Sequence, residues 1–230
     1  MRGSGLNGRR DRRDALVPWI LAVALTALPV VLQAGIVRNV LASVGLAKPD
    51  PPPTDPKTGA PILPRNGFAC CNLHADGSSI NDGNYAKYPL IPAGTAVEVL
   101  SYSRNEAAIK INGKQMRLIH DYGHEQESLD AWVNKIVVNV DPTPRINGYP
   151  VQIQAAIHAG KVAVGMTREQ AIVAIGYPLT SENASTAEPL WRMWRSSHGE
   201  YDLHFEANGR VGSVTGEPDT LNQMLYQSGR

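Results

Sequence analysis

Cysteine is nearly missing from this 230-residue chain, and the two that occur are adjacent, Cys70 and Cys71. With none before Cys70, a bacterial lipid attachment site at the end of an N-terminal apolar run is excluded. Adjacent cysteines bridge each other poorly, because the ring closes through a single peptide bond. Buried thiols are therefore expected, with an intermolecular disulfide as the alternative outside the cytoplasm. Net charge is equally scarce, +1 from 22 basic and 21 acidic residues, which excludes nucleic-acid binding by bulk charge. Aromatic residues make up only 6%. A phosphate-cradling loop is also absent, since Gly209-Arg210-Val211-Gly212 lacks the spacing and the following helix. What is present is an apolar fraction of 43%, enough for a core, with 21 glycines and 17 prolines that make the chain turn-rich. The length fits one large or two small domains.

Charge and proline are segregated along the chain. Arg2, Arg9, Arg10, Arg12 and Arg13 against Asp11 and Asp14 give residues 1–14 a net charge of +3. Residues 15–37 then carry no charge over 23 positions, a helix of roughly 34 Å, enough for a hydrocarbon core of about 30 Å. The basic flank predicts that everything after Arg38 lies outside the cytoplasm. A cleaved secretory signal ending near Leu32-Gln33-Ala34 and an uncleaved anchor both fit. The length of the run and its continuation over 36–44 favour the anchor, assigned to 15–47. Pro18 and Pro29 within it are tolerable in a membrane helix. Seven of the 17 prolines fall between Pro49 and Pro64, so residues 48–66 are expected to form an extended, semi-rigid spacer with a reach of roughly 50–60 Å.

Two small modules follow. Over 67–140 the pattern is mostly strand. Val97 and Val99 share a face, and Asn112-Gly113 joins two strand-like runs as a hairpin turn. Leu129, Trp132, Val133 and Ile136 then mark one face of a short amphipathic helix. A small barrel with a helical cap is expected, in outline resembling the Src-homology-type barrels of bacterial envelope proteins. Asp141-Pro142-Thr143-Pro144 is read as a break in regular structure and the module boundary. Beyond it, Pro150 opens a helix with Ile153, Ala156 and Ile157 on one face, closed by Gly160. Thr167 and Gln170 form a capping box, with Met166 and Ala171 as its hydrophobic staple. Gly176 reads as a left-handed C-terminal cap and Pro178 as the stop. Trp191 and Met193, then Tyr201, Leu203 and Phe205, alternate on the inner face of strands, and Asn208-Gly209 turns into a third. The fold class is thus α+β, ending in a two-layer ααβββ unit over 145–216 and a C-terminal tail over 217–230.

Gly165-Met166-Thr167, Gln170, Gly176-Tyr177-Pro178, Trp191, residues 201–205 and Gly209-Arg210-Val211, in that order, resemble the SmpA/OmlA (BamE-like) domain family. Its members carry a Gly-Met-Thr start, a helix ended by Gly-x-Pro, a tryptophan strand and a closing strand entered through glycine. The likeness covers residues 149–216. It implies a periplasm-facing domain of the outer-membrane assembly machinery, or a relative, that binds protein and lipid rather than catalysing a reaction. The chain departs from that family in lacking the lipid-bearing cysteine and in carrying an anchor, a spacer and an extra module.

Little in the residues points to catalysis. His120-Asp121-Tyr122-Gly123-His124 is the densest polar cluster, but Gly123 and a strand leading into His120 work against two histidines on one helical face. Surface histidines at a strand end are expected there rather than a metal site. Cys71 and His74 would fall on opposite faces of a strand, and Glu98, Asp121, Asp130 and Glu169 form no acid–base couple. No cofactor is expected. The aromatic surface is more informative: Trp191 and Trp194 fall on opposite faces, so one is core and the other exposed or covered by the loop 180–189. Arg192, Trp194, Arg195 and Tyr201 are the candidate partner-binding residues, with an anionic lipid headgroup as a second possible contact. The expected function is that of a non-enzymatic, membrane-anchored cell-envelope protein whose C-terminal domain binds an envelope protein, with the outer-membrane assembly complex as the candidate partner. The alternative is a peptidoglycan-binding module using the 67–140 barrel.

Overall fold

The computed structural model describes residues 54–57, 59, 61–123 and 126–227. The basic end, the expected anchor over 15–47, the first part of the spacer and His124 lie outside the described residues. Among the described residues no helix is long and apolar enough to cross a membrane. The described residues are mixed α+β, with a curled six-stranded sheet, a three-stranded sheet, a two-stranded ribbon and five helices.

The first half holds β1 (Arg65–Ala69), β2 (Leu73–His74), β3 (Ser79–Asn81), β4 (Leu90–Ile91), β5 (Ala96–Tyr102), β6 (Glu106–Ile111), β7 (Lys114–Ile119), α1 (Leu129–Ile136) and β8 (Val137–Val138). Asn112 (φ 50°) and Gly113 (φ 78°) are both left-handed, the backbone that matches a hairpin turn to the strand twist. Alternation puts Val97, Val99, Ile109, Ile111, Met116 and Leu118 into one core with Trp132, Val133 and Ile136 of α1. The Ser128 hydroxyl caps that helix by accepting from the Ala131 N–H at 3.3 Å. The sheet order is β3-β7-β6-β5-β1-β8. Its terminal strands, of three and two residues, are not paired with each other, so the sheet is open where a barrel was expected. Such short edges leave few groups to pair.

Three further expectations are corrected here. The described end of the spacer doubles back, with Thr54 bridging Pro61 and Gly59, at φ +69°, donating to the Asp55 carbonyl at 2.8 Å. Its last residues, Arg65 and Asn66, already belong to β1. Cys70 and Cys71 are buried as expected, but as a vicinal disulfide rather than as thiols.

The second half holds α2 (Thr143–Asn147), α3 (Val151–His158), α4 (Arg168–Ile175), β9 (Leu190–Trp194), β10 (Glu200–Phe205), β11 (Val211–Gly216) and α5 (Pro218–Met224). Helix α2 occupies the expected break, because Pro144 in a first turn gives up only an N–H that has no helical partner. The capping box of α4 is complete: the Gln170 N–H donates to Thr167 Oγ1 and the Thr167 N–H to Gln170 Oε1. Gly176 lies at φ 88°, ψ 177°, so it leaves the helix in an extended conformation open essentially to glycine alone rather than as the expected left-handed cap. The meander β9-β10-β11 buries Trp191, Met193, Tyr201, Leu203, Phe205 and Val211 with Ala156, Ile157, Ala171 and Ala174 of α3 and α4. The presumed tail is helix α5, whose Met224 is buried in that core. The chain after it pairs with Val162, which donates to the Met224 carbonyl at 2.9 Å and accepts from Tyr226 at 2.7 Å.

The two cores meet at an asparagine-lined seam. Asn72, 1% exposed, donates from its amide to the Ile157 and Ala174 carbonyls at 2.6 and 2.9 Å and accepts from the Ala93 N–H at 3.0 Å. Its backbone N–H donates to the Val173 carbonyl. Asn84 lies beside it, donating to the Asn72 and Ile175 carbonyls and accepting from the His74 N–H at 2.8 Å. His74 is buried next to this seam, with Nδ1 2.9 Å from the Tyr88 carbonyl. A carbonyl only accepts, so Nδ1 carries the proton, and Nε2 is buried without a partner. Charging the ring would place a second proton where nothing accepts it. Burial accordingly lowers the His74 pKa, outweighing the Tyr88 hydrogen bond. The native state then binds fewer protons than the unfolded chain, so stability is fully present above the ordinary histidine pKa of about 6.5 and is lost as pH falls below it toward the lowered native value. Urea titrations at neutral and mildly acidic pH should show this slope, and His74→Gln should flatten it.

Candidate functional site

Of the surfaces that carry sequence-predicted residues, the outer face of the β9–β10–β11 sheet gathers most of them. On β9 the alternation turns Leu190, Arg192 and Trp194 outward, opposite the buried Trp191 and Met193. The register sets Arg192 across from Asp202 and Trp194 across from Glu200. Arg192 reaches its cross-strand neighbour with Nε 3.1 Å from Asp202 Oδ1 and a second N–H 3.4 Å from Oδ2. Asp202, Glu200 and Glu182 all act on that guanidinium and hold it in its charged form. One arginine thus sits among three carboxylates, so this face is not the cationic patch that an anionic headgroup requires.

Trp194 is half-buried, and its indole N–H donates to Glu182 Oε2 at 2.8 Å. The loop 180–189 therefore covers it in part, as one of the two sequence readings had it. Tyr201 is corrected outright: it points to the opposite face, is 2% exposed, and burial pushes its phenol pKa up. It is a core residue and cannot touch a partner, because its neighbours Leu203 and Phe205 on the same alternation are the floor of the core. Arg195 lies past the strand end. Its backbone closes the turn to Gly199 and accepts from Lys87, tying the sheet to the first half of the chain.

A feature invisible in the sequence controls the β9 edge. Asn183, 5% exposed, accepts from the Arg192 N–H at 2.8 Å and donates to the Arg192 carbonyl at 3.0 Å. Its side-chain amide stands in for a neighbouring strand. A partner therefore cannot extend the sheet through Arg192, and recognition is left to side chains on the face.

The polar cluster at 120–124 is resolved differently from expectation. His120 is not a surface residue: its side chain is 7% exposed and lies 2.9 Å from Asp82 Oδ2, off the hydrogen-bond line, with Asp82 itself 2% exposed. Nε2 lies 2.7 Å from the Glu127 carbonyl, and the ring stacks on Trp132 at 5.1 Å. Burial raises the Asp82 pKa against the opposing pull of Tyr122 and His120. Nε2 thus donates to the Glu127 carbonyl, while Nδ1 is buried beside Asp82 without a hydrogen-bond partner. Asp82 is far from His120 in the chain, so no local spacing could have signalled the pair. Among the described residues no three side chains are grouped to hold a metal ion. The Cys71–His74 idea fails because Cys71 is in a disulfide.

Comparison with protein-family models, curated proteins and solved structures finds no match to this chain.

Proposed function

We propose that the chain is a non-enzymatic, membrane-anchored cell-envelope protein whose C-terminal half works as a BamE-like, two-layer ααβββ interaction domain, binding a protein partner in outer-membrane assembly or envelope integrity. The observation that carries this reading is the outer sheet face. A half-buried tryptophan, an arginine fixed by a cross-strand carboxylate and the 39% exposed Leu190 sit on a rigid meander whose edge is closed by Asn183. Amphipathic tryptophan and a pre-oriented arginine are the residue types that anchor protein interfaces. The excess of carboxylates favours a protein partner over an anionic lipid.

Photocrosslinking from position 190 in intact cells tests the reading. Outer-membrane assembly components are expected among the products. The Arg192→Ala, Trp194→Ala double variant should lose them while remaining within about 2 kcal/mol of wild-type stability, since neither side chain is core. Crosslinks that survive in the double variant would overturn it.

A further inference from the structure

The outer face of the six-stranded sheet carries a second concavity, of about 540 Å³, independent of the β9–β11 face. Register explains its shape. On the outward side, Asn66, Glu98 and Lys110 form one row across β1, β5 and β6. In the next row Phe68 stands opposite Ala96, and Asn112 follows Ile111 at the turn. The small Ala96 side chain leaves a gap between Phe68 and Asn112. Asn139, just past β8, closes one side, and Gly67 lets β8 pack close, since a Cβ there would lie 2.7 Å from the Val138 carbonyl.

The chemistry of the lining is selective. Among the described residues the three carboxamides of Asn66, Asn112 and Asn139 have no hydrogen-bond partner, and each offers a donor pair and an acceptor. The only charges are Glu98 and Lys110, which face each other at 3.7 Å and cancel, so neither a polyanion nor a polycation is complemented. The floor is made of β1, β5 and β6, all interior strands, although β8 covers only Phe68 and Ala69 of β1. With most backbone groups used in the ladder, an extended peptide would find few main-chain partners here. A ligand rich in hydroxyl and amide groups, with apolar ring faces, matches three free amides around a half-buried phenyl ring.

We propose that this groove binds a neutral, N-acetylated oligosaccharide. A sugar ring lies on Phe68, its acetamide methyl fills the Ala96 gap, and acetamide and hydroxyl groups exchange hydrogen bonds with Asn66, Asn112 and Asn139. The volume is in the range of ordinary ligand sites, roughly 300–1,000 Å³. This proposal does not depend on the protein-binding role of the C-terminal sheet.

The test is calorimetric titration of the detergent-solubilised full chain with chitotetraose, beside cellotetraose, which lacks the acetamides, and a heparin tetrasaccharide, which is anionic. Chitotetraose should bind, cellotetraose at least about tenfold more weakly, and heparin not measurably. Asn66→Ala with Asn139→Ala should weaken chitotetraose binding by about tenfold or more, as expected from losing two hydrogen-bonding side chains. Ala96→Leu should abolish it by filling the gap. Unchanged melting temperatures in both variants would show that the fold is retained. Absence of chitotetraose binding, equal binding of cellotetraose, a preference for heparin, or variants that bind like the wild type would each overturn the proposal.

Discussion

Replacing Asn72 by alanine is expected to lower stability by about 3–5 kcal/mol, measured by urea unfolding at neutral pH. The side chain is 1% exposed, and its removal strands the Ala174 carbonyl and the Ala93 N–H and empties a buried site, while the Ile157 carbonyl keeps the Gly160 N–H. Each buried polar group left without a partner costs about 1–3 kcal/mol. Asn72→Asp should be no better, because a carboxylate cannot donate to two carbonyls and is itself buried. The same bonds join residues of both cores, so the wild type should unfold in one transition and the alanine variant in two, read by separate probes on each half. Equal stability of Asn72→Ala and wild type would show that the seam is not what couples the halves.

The second large effect is expected at Gly176. At φ +88° and ψ 177° it holds a backbone conformation that costs other residues roughly 1–3 kcal/mol. A methyl group there would also lie 2.4 Å from the Asn84 amide nitrogen. Asn84 would have to move, giving up its bonds to Asn72, Ile175 and His74. Gly176→Ala is therefore expected to cost about 3–4 kcal/mol in the same assay. Because it acts on the network that Asn72 serves, the double variant should lose less than the sum of the two. Additive losses would mean that Asn84 does not carry the strain to the seam.

The readings that succeeded in the sequence were local. Asn112-Gly113 specifies its turn because few residues accept two successive positive φ values, and Thr167 with Gln170 specifies a helix start because both partners lie within one turn. The face of α1 and the inward set Trp191, Met193, Leu203 and Phe205 follow from periodicity alone. Readings failed where the deciding contact came from afar. Tyr201 looks like an interface aromatic until the sheet assigns its face. Residues 217–227 look like a tail, with only Pro218 to hint at a helix start, until Val162 supplies a pairing partner more than fifty residues away in sequence. The end of the proline segment looks extended until Thr54 meets Pro61.

The sequence by itself determined the α+β alternation, the principal turns and caps, and the apolar faces, since these depend on backbone preferences and spacing within a few residues. Only the tertiary structure decided which residues remain outside and available. Asn183 becomes an edge cap, Arg192 a fixed cross-strand partner, and Asn66, Asn112 and Asn139 the rim of one groove, because register across strands brings together groups whose separation along the chain carries no signal. Burial and hydrogen-bond satisfaction are properties of the assembled surface, and any site on this protein is made of them.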